Sequence, residues 1–133
     1  MSESIVKSKE RVKDLGEVYT PQVLVQEILK NIPKAGWEDP SKTFLDPACG
    51  NGNILVEVLK EKKKHHDNIL CLKSIYGIDI SSENVIECRK RLISICSENN
   101  KIEKEAISIV KKNIVCLDSL TVDFDKIFQK DQV

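Results

Sequence analysis

The sequence has no surplus of charge of either sign: 21 Lys and Arg residues balance 21 Asp and Glu residues, and the net charge is zero. Nucleic-acid-binding surfaces usually declare themselves by a basic excess. Any such contact here has to come from a local patch or from a partner. No apolar run approaches the roughly 18 residues that a membrane helix needs, so no membrane span is expected. The first residues, Met1 to Lys9, are polar and charged and do not read as a secretory leader. No Cys-x-x-Cys pair occurs, and the cysteines (Cys49, Cys71, Cys88, Cys96 and Cys116) are odd in number. Neither a zinc site nor a disulfide framework is supported. Three of the five fall in apolar patterns as small core residues, and the compartment reads as a reducing cytoplasm. The four prolines, Pro21, Pro33, Pro40 and Pro47, are never adjacent, and there is no internal repeat or low-complexity tract.

What is present is enough for one domain. The 133 residues are 41% hydrophobic, which supports a real core. Residues 1–15 are charged with little period and are expected to form a loose or weakly helical arm, with the folded domain over 16–133. Thr20-Pro21 has the form of a helix start, Thr as N-cap and Pro at the first helical position. Val25, Ile28, Leu29 and Ile32 give that helix one apolar face, and Pro33 and Gly36 end it. Asp39-Pro40-Ser41 is a turn.

Strands are expected at Thr43–Leu45, Ser74–Ile80 and Asn113–Asp118. Helices are expected from Asn53 to about Lys63, after a cap at Ser81 or Ser82, and from Glu103 to Val110. The second of these buries Val85, the Arg89 stem, Leu92 and Cys96, with Ile86 and Ile93 beside them, and breaks at Asn99-Asn100. Asp123–Phe128 reads as the start of a fourth strand. The alternation implies an α/β fold with a parallel sheet and right-handed crossovers. Each of the three strands leads into an aspartate, Asp46, Asp79 or Asp118, so three carboxylates converge on the carboxyl edge, where such sheets bind ligands. His65 and His66 read as solvated. The runs Lys60–Lys64 and Arg89-Lys90-Arg91 read as wet helix faces, and Cys49 as a space-filling residue.

The densest chemistry lies in Asp46-Pro47-Ala48-Cys49-Gly50-Asn51-Gly52-Asn53. An acid ends a strand, a Gly-x-Gly turn follows, and a helix opens at once. Glycines let the backbone turn tightly and approach a ligand, and the helix start offers unpaired N–H groups and partial positive charge. The Asp46 carboxylate can meet an ammonium group at the same place. A ligand with both an amine and a carboxylate fits this better than a pyrophosphate, and S-adenosyl-L-methionine is such a ligand. A dinucleotide competes weakly, because the third glycine of G-x-G-x-x-G is absent and the next acid is too distant; no P-loop is present. Asp79 stands where a carboxylate can accept two ribose hydroxyls. Asp118 can accept from an adenine amine, with Ile80 and Leu120 over the ring faces. Thr20 can add a helix start for a ligand carboxylate, and Tyr19 reads as a pocket wall or a core residue.

Taken in order, Gly16-Glu17-Val18-Tyr19-Thr20-Pro21, Asp46 to Gly52, Gly77-Ile78-Asp79-Ile80 and Asn113 to Asp118-Ser119-Leu120 resemble the amino-terminal part of the N6-adenine DNA methyltransferases of the gamma motif order. The resemblance covers 16–120. It implies a Rossmann-like methyltransferase core whose parallel sheet is incomplete, with three to four strands and flanking helices. It also implies Tyr19, Thr20 and Pro21 at the methionine end of S-adenosyl-L-methionine. Asp46 and the Gly50 and Gly52 backbone would hold its amino-acid part, Asp79 its ribose and Asp118 the adenine amine, with Pro47, Ala48, Asn53, Ile80, Ser119 and Leu120 in the same cofactor site. The family handles its target base, flipped out of DNA, with an (Asn/Asp/Ser)-Pro-Pro-(Tyr/Phe) motif that this sequence lacks. The expectation is a chain cut before that motif, with no catalytic and no metal-binding residues of its own. DNA is then the implied partner, and a second copy or chain would complete the sheet. A non-catalytic module that binds the cofactor or mimics a methyltransferase stays open beside it, as does a related enzyme acting on RNA or protein.

Overall fold

A computed structural model of the chain describes residues 22–98, 101–121 and 123–128. Tyr19, Thr20 and Pro21, and the expected arm over 1–15, lie outside these residues. The first helix described, α1 (Gln22–Lys30), buries Val25 and Leu29, four apart, with Ile28 half-buried beside them. That helix stops at Lys30, ahead of Pro33, but Gly36 does not end it: helix resumes beyond the proline. That proline stands extended, at φ −58° and ψ 148°, and a short α2 (Lys34–Glu38) follows it with Gly36 inside. A proline's fixed φ suits the residue before a helix as well as its first turn, and the half-buried Trp37 anchors α2 against the core. The expected turn at Asp39-Pro40-Ser41 is closed by Asp39 Oδ1, which accepts from Ser41 N at 2.9 Å and from Ser41 Oγ at 2.7 Å.

Three strands, β1 (Phe44–Asp46), β2 (Ile75–Asp79) and β3 (Ile114–Cys116), form a parallel sheet in the order β1-β2-β3. Parallel neighbours need crossovers. Those between β1 and β2 are α3 (Asn53–Lys62) and α4 (Asn68–Lys73), the latter without a counterpart in the sequence pattern; those between β2 and β3 are α5 (Ser82–Cys96) and α6 (Lys104–Asn113). A final helix, α7 (Phe124–Phe128), occupies the segment expected to begin a fourth strand. Asp123 accounts for the difference: its carbonyl accepts from Ile127 N at 3.1 Å and its Oδ1 from Lys126 N at 3.4 Å, which starts a helical turn.

Register places Phe44 beside Ile75 and Gly77 beside Ile114. Side chains alternate along a strand, so these four share a face, and Ile75 and Ile114 join Leu55, Val58, Leu59, Leu72, Val85, Cys88, Leu92 and Val110 in one buried cluster. The opposite face carries Leu45, Tyr76, Ile78 and Val115. There the Phe128 ring of α7 meets Tyr76 at 4.7 Å between centroids, tilted by 59°. Gly77 is the point of closest approach under α3. A Cβ there would lie 2.7 Å from Leu55 Cδ1 and 3.1 Å from Cys49 Cβ and Sγ.

Ser81 caps α5, accepting from Asn84 N at 3.3 Å. The buried line of α5 is Val85, Cys88, Leu92 and Cys96; this 3-4-4 spacing turns Ile86 outward, where it is 50% exposed rather than buried. Asn113 closes α6 instead of opening β3, its amide donating to Leu72 O and Lys73 O.

Several side chains read as solvated are structural. Lys62 continues the Leu55, Val58, Leu59 stripe of α3, is buried, and donates to Lys42 O at 2.8 Å; burial lowers its pKa. Lys63 Nζ donates to Ile95 O at 2.7 Å, and His66 Nε2 lies 2.7 Å from Glu38 O. Arg89 donates from Nε and Nη2 to Ile114 O at 2.9 and 2.6 Å, and from Nη2 to Lys111 O at 3.2 Å. Four cysteines are buried and Cys116 is exposed.

The contact at Gly77 gives a direct test of the packing between sheet and α3. Gly77→Ala should destabilise the chain by about 1–3 kcal/mol, the usual cost of overpacking a filled core. A shift of the urea midpoint to lower concentration checks it, and an unchanged midpoint would show that Leu55 and Cys49 yield freely.

Candidate functional site

Hydrogen bonds beyond the strand ends hold the carboxyl edge of the sheet together. Cys49 N donates to Ile78 O at 2.9 Å and Leu117 N to Asp79 O at 3.0 Å. The ladder therefore continues into the loops after β1 and β3. After β1 the turn passes through Gly50 at φ 55° and Gly52 at φ 93°. It is closed by Gly52 N donating to Cys49 O at 2.9 Å, and Gly52 O accepts from Val56 N at 2.8 Å at the start of α3. A Cβ on Gly52 would lie 2.7 Å from Cys88 Sγ of α5, so this turn needs glycine there for space as well as for φ.

Asp79 joins three segments. Its Oδ1 accepts from Gly50 N at 3.1 Å, and its Oδ2 accepts from Ser81 N and from Asn84 Nδ2, each at 3.1 Å. The residue is 7% exposed. A carboxylate offers about four acceptor sites, so three protein donors leave little spare capacity. Asn84 is fully buried and was not picked out from the sequence. Its signal was available: it lies four residues before Cys88, a polar group set in the apolar line of α5.

Asp46 is half-buried, and its Oδ1 accepts from Ala48 N at 3.1 Å. Burial raises its pKa above the ordinary 3.8; the Ala48 N–H opposes the rise and the nearby charge of Asp79 adds to it. Among the described residues no Lys, Arg or His lies within ion-pair distance of Asp46 or Asp79. Cys49, between them in the turn, is buried, and a hydrogen bond with Cys88 together with burial pushes its thiol far up. It is a packed, protonated side chain, as its size suggested.

Asp118 stands apart from this pair. β3 ends at Cys116, and Asp118, two residues on, is exposed and forms its own turn: Oδ1 accepts from Leu120 N at 3.0 Å, and its carbonyl accepts from Thr121 N and Oγ1, each at 3.1 Å. Ser119 lies within that turn. Ile80, directly beyond the end of β2, is 60% exposed, and Leu120, four residues past the end of β3, is 93% exposed. Pro47 and Ala48 are exposed and Asn53 half-buried at the head of α3. The structure thus places Asp46, Gly50, Gly52 and Asn53 on the loop from β1 to α3, bonds Gly50 N to Asp79, and leaves Asp118, Ser119 and Leu120 in the loop after β3.

The edge offers a turn with two left-handed glycines, two carboxylates without a cation partner among the described residues, and exposed apolar side chains beyond β2 and β3. The sequence model of the N-6 DNA Methylase family matches residues 4–127. Over 95 residues the chain is 34% identical to the type II methyltransferase M.VspI of Vibrio sp. (strain 343), a stretch covering 70% of this chain and 21% of that protein. Over 81 residues it is 33% identical to the type I restriction enzyme MpnII methylase subunit of Mycoplasma pneumoniae (strain ATCC 29342 / M129 / Subtype 1), covering 61% of this chain and 14% of that protein. The match is a small part of each relative's length.

Asp79 is as much a structural group as a site group, and its removal separates the two. Asp79→Ala leaves three donors, one of them on a fully buried side chain, without their acceptor. The expected loss is about 2–3 kcal/mol, read as a lower thermal midpoint in the absence of any ligand. Wild-type stability in this variant would show that water replaces the carboxylate at no cost.

Proposed function

The chain belongs to the N-6 DNA methylase family, and on that premise we propose that its carboxyl edge binds S-adenosyl-L-methionine for methyl transfer to the N6 amine of adenine in DNA. The single observation that carries the reading is Asp46 beside the glycine turn: a half-buried carboxylate, with Asp79 near it and no cation to balance either among the described residues. Such a site favours a cationic ligand group, because an opposite charge offsets the cost of burying a carboxylate. The ligand's ammonium group meets Asp46. Its carboxylate meets the partial positive charge at the head of α3. The ribose diol lies toward Asp79, sharing that carboxylate with Gly50 N, Ser81 N and Asn84 Nδ2. The exposed Ile80 and Leu120 cover the adenine faces, and Asp118 and Ser119 supply its polar edge. Tyr19, Thr20 and Pro21 would close the methionine end, a role inferred from the family's motif order.

When bound, S-adenosyl-L-methionine supplies an electrophilic methyl group on a sulfonium. Transfer to a neutral amine then depends on orientation and proximity. The residues of this chain serve that orientation; the four prolines are never adjacent, and we assign the handling of the base to another polypeptide segment. We further propose that the free edge of β1, which pairs only with β2 among the described residues, is completed by strands of a second copy or a partner chain.

Titration calorimetry of the purified chain with S-adenosyl-L-methionine tests the cofactor reading. Wild type should bind, and Asp46→Asn should bind at least about tenfold more weakly, the loss of roughly 1.4 kcal/mol for a desolvated charge pair. The Asp46 pKa is raised, so its charge, and with it the affinity, declines as the pH falls through a value above 3.8. In the free chain the sign is opposite: a raised carboxyl stabilises the fold fully below 3.8 and loses that contribution as the pH rises through its folded value. Absence of binding by a folded wild-type chain would sink the proposal.

Sedimentation velocity tests the edge. A sedimentation coefficient that rises with concentration is expected for self-association; one that stays monomeric at all concentrations leaves only a different partner chain.

A further inference from the structure

Arg91 lies on α5, about 40 residues from the glycine turn in sequence, yet its Nη1 donates to three acceptors there. These are Asn51 O at 3.1 Å, Asn51 Oδ1 at 3.3 Å and Asn53 Oδ1 at 2.8 Å. Asn51 stands between the two glycines in left-handed conformations, the residues with most backbone freedom in the turn. The described bonds that tie this turn to the sheet run from Gly50 N to Asp79 and from Cys49 N to Ile78 O, while Gly52 N on Cys49 O and Val56 N on Gly52 O close the turn on itself and on α3. Arg91 acts from the helix side, holding the tip through its carbonyl and both flanking asparagine side chains. A guanidinium is planar, always charged and rigid in its donor geometry, so less freedom is lost per hydrogen bond than with the flexible ammonium of a lysine.

We propose that Arg91 is a positioning residue: it holds Gly50–Asn53 in the shape that receives the amino-acid end of S-adenosyl-L-methionine. This rests on the cofactor reading above. A turn ordered before binding spares the ligand the cost of ordering it, and fixing a few side chains and one flexible tip corresponds to about tenfold in affinity. The residue touches no ligand atom in this scheme and acts through Asn51 and Asn53.

The test compares the full-length wild-type chain with Arg91→Ala and Arg91→Lys in two measurements. The first is amide hydrogen exchange without ligand, read over residues 49–56, where Gly52 N and Val56 N are bonded within the turn. The second is S-adenosyl-L-methionine affinity by calorimetry. The expected result is exchange about tenfold faster in Arg91→Ala and confined to that segment, affinity about tenfold weaker, and partial recovery of both in Arg91→Lys. A loss that spreads over the whole chain would mark general destabilisation and overturn the proposal. Unchanged exchange would overturn it whatever the affinity does. Faster exchange with wild-type affinity would overturn the positioning role while leaving the cofactor reading in place. Faster exchange in a background where the wild type binds no cofactor would overturn that reading and the ligand role of Arg91 together, leaving a brace of the turn alone.

Discussion

A carboxylate withdrawn from water must be met by donors or give up its charge, and Asp79 is met by three. They come from the turn after β1, the start of α5 and the body of α5. One side chain at the end of the central strand therefore joins the glycine turn to the helix beside it, where Arg91 adds a second, direct link. Remove it and the turn keeps its backbone bonds, Cys49 N on Ile78 O among them, and its brace from Arg91, but Gly50 N loses its acceptor. The same concentration of negative charge makes the edge a place for a cation. Asp46 sits close enough to feel Asp79, and neither has a basic partner among the described residues. Fold and proposed function thus draw on the same electrostatic arrangement.

Several basic residues of α3 and α5 are engaged within the fold. Lys62, Lys63 and Arg89 donate to backbone carbonyls at Lys42, Ile95, Ile114 and Lys111, and Arg91 to the glycine turn. Each places a charged donor where an element or a loop leaves an acceptor. The runs that might have formed a basic face are in part interior fastenings, which reduces what this domain can offer a phosphate backbone from α3 and α5.

Much of this was legible in the residues. The strand, glycine turn and helix around Asp46 were evident because the turn demands glycine and the flanking runs differ in period. β2 and α5 were evident for the same reasons, with the cap left between Ser81 and Ser82 until the structure gave Ser81. What was not legible depended on partners distant in sequence. Nothing local to Arg91 or Lys62 announces that its acceptor lies 40 or 20 residues away. The short α4 and α7 have too few residues to show a period, and Asp123 decided the second by starting a helical turn where a fourth strand was expected. The family resemblance read from the motif order agrees with the family matched over 4–127.

The approach of Cys88 to Gly52 sets a limit on how this edge can vary. The sulfur and the glycine's missing Cβ compete for one space, with 2.7 Å between them were both filled. Residues 52 and 88 are in that sense a single volume divided between a turn and a helix, and neither can grow unless the other shrinks. A bulkier side chain at 88 would lift the turn off the sheet and carry Gly50 away from Asp79. The height of the site's floor is thus fixed by the size of one small side chain on the neighbouring helix.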